Sequence, residues 1–374
     1  MTHQSTRLLG FVLAAATLIV SAVLAPTDEP LAQGCILIRN NAPIFGASDT
    51  LPFRAHEWQF NFNYRGLVAD DHYSGTQFQY QRKALNNYVI NTQQSYDFGV
   101  TYSVTERFNL SLSVPIINAS WSIPLPAQPP LGPRSEQNAA GLGDVIFGGR
   151  YWMLKPEKHP TANFSLGLGV KFPSGNAYVK DTYPILNGTN PTVKAVDQSI
   201  QPGDNGWGVV FDIQGYKSIK HISFFGSGTY LINPTDTNYT PSIIVGLGLG
   251  ANPAFSDLLV NSITDSYMAR AGAVFQFPAK WFQMSFGFRI EGLPRYDLIG
   301  DSHGWRRPGY ETFMEPGFIF VTGPSTFTLY VPIGLVQNRL PNPYTGNSGD
   351  ATFPEYIILG GYSYRFPPKG SKAS

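Results

Sequence analysis

Nine charged side chains sit in or beside stretches where apolar and polar residues alternate: Arg65, Asp97, Asp144, Arg150, Asp212, Arg270, Arg289 and Glu315, with Glu291 just past a strand end. On an extended strand such alternation sorts side chains onto two faces and puts these charges on the polar one. Four are basic and five acidic. An unpaired charge away from water is costly, so the set predicts a paired network facing a shared interior. Two chemistries fit it. Salt bridges can simply pack a narrow interior, or a ladder of charges can select what passes through. The two overlap, since a packing network can also be the filter.

Other chemistry is thin. The six histidines (His3, His56, His72, His159, His221, His303) show no His/Cys or His-x-x-x-His spacing, so no zinc site is predicted. No Gly-x-Ser-x-Gly elbow occurs. Asp70, Asp71 and His72 form the nearest catalytic-type cluster, and a solvated loop face explains them more simply. Asp204-Asn205 and Asp236-Thr237-Asn238 offer two or three oxygens each, a weak case for calcium. The glycine runs Gly246-Leu247-Gly248-Leu249-Gly250 and Gly141-Leu142-Gly143-Asp144 lack the Lys-Ser/Thr of a phosphate loop. No metal, cofactor or catalytic residue is therefore expected.

The elements that must position the charges are strands. Charged residues make up 14% of the 374, against about a quarter in ordinary soluble domains. Aromatics make up another 14%, and 38 Gly with 30 Pro disfavour long helices. A net charge of +1 lacks the basic excess of a nucleic-acid binder. Mean hydropathy is -0.11, too low for a helical membrane protein. Low charge and many aromatics at neutral hydropathy fit strands with one face in lipid.

Twelve alternating rows can be counted. The first is Trp58, Phe60, Phe62, Tyr64, with Gln59, Asn61, Asn63 and Arg65 between them; the last runs from Tyr356 to Phe366. The seventh (Ile222 to Tyr230) is weaker. The tenth (Glu311 to Val321) is irregular, interrupted by Pro316-Gly317. Each row is near the 9–11 residues that cross a hydrocarbon layer as a tilted strand. Connections alternate short (Thr105-Glu106-Arg107, Lys155 to Thr161, Lys217 to His221, Pro278 to Lys280, Gly323 to Ser325) and long (Gly66 to Gln93, Pro115 to Ala140, Ser174 to Gly206, Asn233 to Asp265, Glu291 to Gly309, Gln337 to Thr352). Short periplasmic turns opposite long extracellular loops are the plan of an outer-membrane barrel. Aromatics cluster at row ends (Trp58, Tyr64, Tyr96, Tyr151, Trp152, Trp207, Trp281, Tyr362, Phe366), as interfacial girdles do. The prediction is an all-β, transmembrane, antiparallel up-and-down barrel over 57–366, in the outer membrane of a bacterial cell. Its partners would be outer-membrane lipids and lipopolysaccharide. Nothing in the sequence sets an oligomeric state.

The ends carry separate signals. A short basic start closed by Arg7, then the apolar run Leu8 to Ala25, reads as an export signal over 1–32, with cleavage between 25 and 34. Leu31-Ala32-Gln33-Gly34-Cys35 is close to a lipoprotein signal, though Leu stands one position early and Gln precedes Gly. Cys35 is thus a candidate lipidation site; the alternative is a free thiol. Residues 33–56 read as a linker or a plug for the lumen, because Ile36-Leu37-Ile38 precedes polar Arg39-Asn40-Asn41. Residues 367–374 read as a periplasmic tail.

Gly141-Leu142-Gly143-Asp144 followed by Arg150-Tyr151, together with Tyr102-Ser103-Val104-Thr105-Glu106-Arg107-Phe108, resembles the transporter-like outer-membrane family linked to the meta-pathway of phenol degradation. Lys171-Phe172-Pro173-Ser174-Gly175-Asn176 is similar to that family's Leu-Pro-Thr-Gly-Asp stretch, with Phe for Leu, Ser for Thr and Asn for Asp. The resemblance spans roughly 57–366. It implies a channel or transporter for small aromatic or hydrophobic organic solutes. A barrel enzyme, or a structural or adhesive barrel with a closed lumen, are the other readings.

Overall fold

The computed structural model describes residues 53–366 apart from 126, 128–129, 184–191, 247–249, 345 and 347–348. The export signal, Cys35, nearly all of the 33–56 segment and the 367–374 tail lie outside these residues.

Twelve antiparallel strands close on themselves. In chain order they are β1 (Trp58–Ser74), β2 (Ile90–Ser103), β3 (Phe108–Pro124), β4 in two segments (Arg134–Leu142 and Ile146–Trp152), β5 (Ala162–Lys171), β6 (Gly208–Ile219), β7 (Ile222–Ile232), β8 (Ser266–Gln276), β9 (Phe282–Leu293), β10 (Gly309–Thr322), β11 in two segments (Ser325–Tyr330 and Ile333–Arg339) and β12 (Ala351–Phe366). Each pairs with its sequence neighbours, and β12 returns to β1 from Trp58↔Phe366 to Tyr73↔Ala351. Closure leaves the barrel no open edge.

Alternation decides which face each row takes. Phe98, Leu112, Phe147, Leu166, Phe211, Phe224, Phe286, Phe318, Phe327 and Ile358 are exposed and come from ten different strands. They form an apolar belt around the outside. A soluble protein rarely exposes so large an apolar surface, and a bilayer is the solvent that accepts it. Trp58, Trp207 and Trp281 are also exposed, at strand ends. Trp152 departs from the expected girdle. It follows the outward-facing Tyr151, so it must point inward, and its ring packs edge-on to Tyr216 with centroids 5.9 Å apart.

The strands overrun the apolar belt at the long-loop end. β1 and β3 have 17 residues each. Two expected connections are therefore shorter than the sequence suggested. Nearly half of Gly66 to Gln93 and most of Pro115 to Ala140 is strand, leaving residues 75–89 and 125–133 as loops. Alternation there is not apolar against polar, because this part of the wall packs on loops instead of lipid. Trp121, Ile123 and Gln137 are all buried in it. A short helix, α1 (Tyr80–Leu85), fills the first loop.

The tenth row, expected to be irregular, is one unbroken 14-residue strand. Proline removes a ladder donor. The Pro316 carbonyl accepts from Val331 N–H at 3.0 Å, so its missing donor faces β11, where β11 is itself interrupted by Val331-Pro332. Pro115 uses the same device, facing the break in β4 and accepting from Gly143 N–H at 2.8 Å. Gly317 is fixed by close approach. A Cβ there would fall 2.2 Å from the Tyr330 ring. Gly317→Val should displace Tyr330 and lower the thermal unfolding midpoint, at a cost of roughly 1–3 kcal/mol; an unchanged midpoint in a heat-shift gel series would refute the packing.

Candidate lumenal site

The interior divides into a filled side and a more open side. On the filled side, Leu67, Phe313, Ile319, Tyr330, Ile357 and Leu359 form a buried apolar cluster on the inward row of β1, β10, β11 and β12. Charges lie among them. Arg65 on β1 reaches across to Glu291 on β9, with Nη2–Oε1 at 2.5 Å and Nη1–Oε2 at 3.2 Å. Glu291 also takes Arg289 Nη2 at 2.6 Å. Arg289 Nη1 lies 3.6 Å from Glu315 Oε2, and Glu315 accepts from Arg270. Arg270 sits over the rings of Tyr330 (4.8 Å) and Phe225 (5.2 Å).

Register explains why the order must alternate through space and not along the ladder. Arg270 and Arg289 are direct cross-strand partners, as are Glu291 and Glu311. Like charges directly opposite destabilise a sheet. The conflict between the arginines is relieved because Glu291 and Glu315 each bridge two guanidinium groups. Glu311, which was not among the expected charges, is buried and accepts from Gln337 Nε2 at 3.2 Å. Its signal was available: it shares inward parity with Glu315. Three arginines (65, 270, 289) then face three glutamates (291, 311, 315), so the cluster carries no formal excess.

The other expected charges lie elsewhere. Arg150 pairs with Asp212, its Nε at 3.0 Å, and Thr229 Oγ1 donates to the second Asp212 oxygen at 3.3 Å. Asp97 accepts from the Ser113 hydroxyl and is not in the Arg–Glu chain. Asp144 stands in the break of β4, not within a strand. Its oxygens accept backbone N–H from Gly175 (2.9 Å) and Asp204 (3.1 Å), tying the root of the β5–β6 loop to the wall. Asp204, the candidate calcium ligand, holds Lys171 Nζ at 2.6 Å. Asp236 comes within 4.8 Å of Asp301 and His303, but its Oδ1 already accepts the N–H groups of Asp301 (2.8 Å) and Ser302 (3.1 Å). The Asp70-Asp71-His72 cluster splits. Lys83 Nζ holds Asp70 (2.6 Å) and Asp71 (3.2 Å), while His72 turns inward between Asp350 (Nδ1–Oδ2 3.0 Å) and the N–H of Val89 (2.8 Å to Nε2).

What sequence reading missed most is at the mouth. The β5–β6 loop folds inward, and its turn Gln198–Ile200 is buried against both sides of the barrel. On one side Asn91 Nδ2 donates to Ser199 Oγ (2.5 Å) and Gln93 Nε2 to Ser199 O (2.8 Å). On the other, Arg307, just ahead of β10, makes a two-pronged pair with Asp197 (2.7 and 3.2 Å). Asp197 also caps the turn, accepting from Ser199 N–H at 2.8 Å. Burial opposes the charge on Asp197, yet the Arg307 guanidinium outweighs it and holds the carboxyl below its usual value of 3.8. A carboxyl so depressed contributes docking energy above its unfolded value and loses it as pH falls through the folded value. The turn should stay docked through neutral pH and release only well below pH ~4. Proteolysis or conductance measured against pH checks this: Asp197→Asn should abolish the acid step, and a step persisting in that variant would assign it elsewhere.

The sequence matches no known family model and no curated protein. The fold does have solved counterparts. A crystal structure of an outer membrane channel from Pseudomonas putida F1 superposes with a TM-score of 0.55, covering 85% of this chain and 98% of that one at 12% identity. The protein is an outer-membrane β-barrel. Other solved barrels superpose less well. The translocator domain of the autotransporter NalP from Neisseria meningitidis gives 0.43 (10% identity, 85% and 92% covered), and the toluene transporter TodX from Pseudomonas putida gives 0.42 (10%, 90% and 98%). At these identities the likeness is one of fold.

Proposed function

We propose that this barrel passes small, uncharged organic solutes, aromatic or hydrophobic ones among them, across the outer membrane. The observation that carries the reading is the division of the interior. One side is closed by the Arg–Glu chain and the apolar cluster, while the wall of β3 to β6 presents Ser111, Ser113, Gly148, Gly167 and Gly169 inward. Small side chains leave the room that the filled side lacks. Arg65, Arg270 and Arg289 are paired with Glu291 and Glu315, and Arg150 with Asp212, so an anion entering would find no uncompensated guanidinium among them to replace its hydration. The resemblance to the family linked to phenol degradation supports aromatic compounds within this class, and the inward loop at the mouth supports a narrow passage with limited flow. In this reading the charged residues Arg65, Asp97, Asp144, Arg150, Asp212, Arg270, Arg289 and Glu315 shape the passage.

Liposome swelling with a graded set of sugars, amino acids, alcohols and phenolics tests the reading. Neutral compounds with apolar bodies should enter fastest, and amino acids of similar size far more slowly. Equal rates for all, or no entry of any, would reject it.

A further inference from the structure

Three glycines on the inward face of β4 and β5 open a recess in the barrel wall. Gly148 and Gly169 are direct partners, and Gly167 lies opposite Arg150 two pairs along. Added Cβ atoms would meet Leu168 O at 3.0 Å from Gly148, Asp212 at 3.1 Å from Gly167, and Phe147 O at 3.1 Å from Gly169. The missing side chains leave a space of about 430 Å³, counted to its open mouth.

The recess has two unlike ends. Ile146, Val210 and Leu231 pack together as a buried apolar group, and the first two line it. At the other end stand Thr229 and the Arg150–Asp212 pair; on the neighbouring strand Ser111 lies opposite Gly148 between the two ends, and Ser113 lies opposite Ile146. The ion pair is internally compensated, so this end offers hydrogen bonds without net charge. Next to it, Asn109 is the cross-strand partner of Arg150. Asn109 is buried, and its Oδ1 has no hydrogen-bond partner among the described residues. A buried acceptor of this kind normally finds a donor.

We infer that this recess is a binding station for a small uncharged molecule with an apolar body and one hydroxyl group. The body covers Ile146, Val210 and the bare glycine backbone. The hydroxyl reaches the polar end, where serine and threonine can accept its hydrogen bond or donate one to it. A carboxylate of the same size is disfavoured, because Arg150 is already neutralised by Asp212 and nothing repays the lost hydration. The inference deepens the proposed passage and rests on that reading, yet binding and passage can be measured apart.

The experiment uses the full mature chain in detergent and follows 4-fluorobenzyl alcohol and 4-fluorobenzoate by fluorine NMR, with empty micelles as the blank. The alcohol should broaden saturably beyond the blank and the benzoate should not. Val210→Trp, which fills the apolar end, and Ser111→Phe, which fills the polar side, should each weaken the alcohol's binding by about tenfold, equivalent to about 1.4 kcal/mol. Heat-shift gels identify which variants are folded, and either one suffices. Broadening that is equal in the wild type and the folded variant, no broadening above the blank, or benzoate binding as well as the alcohol would each overturn the station. Swelling assays on the same preparations report passage. Binding without flux would leave the station and remove the channel; flux without binding would do the reverse.

Discussion

Replacing Arg307 with methionine is expected to undock the β5–β6 loop and widen the mouth. Arg307 is the charged anchor of the turn Gln198–Ile200; Asn91 and Gln93 hold it on the other side, and Gln198 Nε2 donates to Ser262 O at 2.6 Å. Its partner Asp197 is fully buried. Removing one member of a buried ion pair leaves the other uncompensated, which typically costs about 3–5 kcal/mol. The segment has a cheaper alternative than staying buried, since undocking puts Asp197 into water. What remains, the hydrogen bonds of Asn91, Gln93 and Gln198, is worth only about 0.5–1.5 kcal/mol each against that cost. The barrel itself should survive, because the strands do not depend on the loop. Single-channel recordings should show larger and noisier openings than the wild type, and the loop should become sensitive to protease added from the mouth side. Arg307→Met combined with Asp197→Leu should restore much of the protection, because no charge is then stranded. A single variant with wild-type conductance and wild-type protease resistance would show that the loop is held by something else.

The second large effect is expected at Glu291. It is the one carboxylate that bonds both Arg65 and Arg289. Glu291→Gln keeps the size but strands the buried Arg65 guanidinium and leaves Arg289 only its 3.6 Å contact with Glu315. The loss should again be roughly 3–5 kcal/mol, and the thermal midpoint should fall by more than about 5 °C. Arg150→Leu with Asp212→Leu is the contrast. That pair stands apart from the chain, and removing both charges together strands nothing, so its midpoint should move much less. Equal shifts in the two experiments would mean that connectivity among the charges does not matter.

The residues themselves determined a good deal of this protein. Period-two alternation names the face of every side chain in lipid, so the inward direction of Arg65, Arg150, Arg270 and Arg289 follows from parity alone. The same parity places Trp152 inside, where its position at a row end suggests a girdle. The count of twelve strands was equally legible, because each crossing must present about ten residues to the same hydrocarbon thickness. Even the tenth strand obeys the rule, once the missing donor of Pro316 is seen to face the interruption of β11 at Val331-Pro332.

Partners across the lumen were not legible. Arg65 and Glu291 are 226 residues apart and meet only because closure brings β1 opposite β9. Strand sequence fixes which face a side chain takes but carries no information about which distant strand stands across the interior. The loops are darker still. No lipid imposes a period on the residues around Asp197, so nothing in their spacing distinguishes a turn docked across the mouth from one in solvent. Tertiary structure alone made that choice, through three hydrogen-bonding side chains, Asn91, Gln93 and Arg307, drawn from different parts of the chain. The charged residues with which the sequence began were therefore legible as a set and as a face. Which of them pair, and which side of the lumen they fill, was decided by the closure of the barrel.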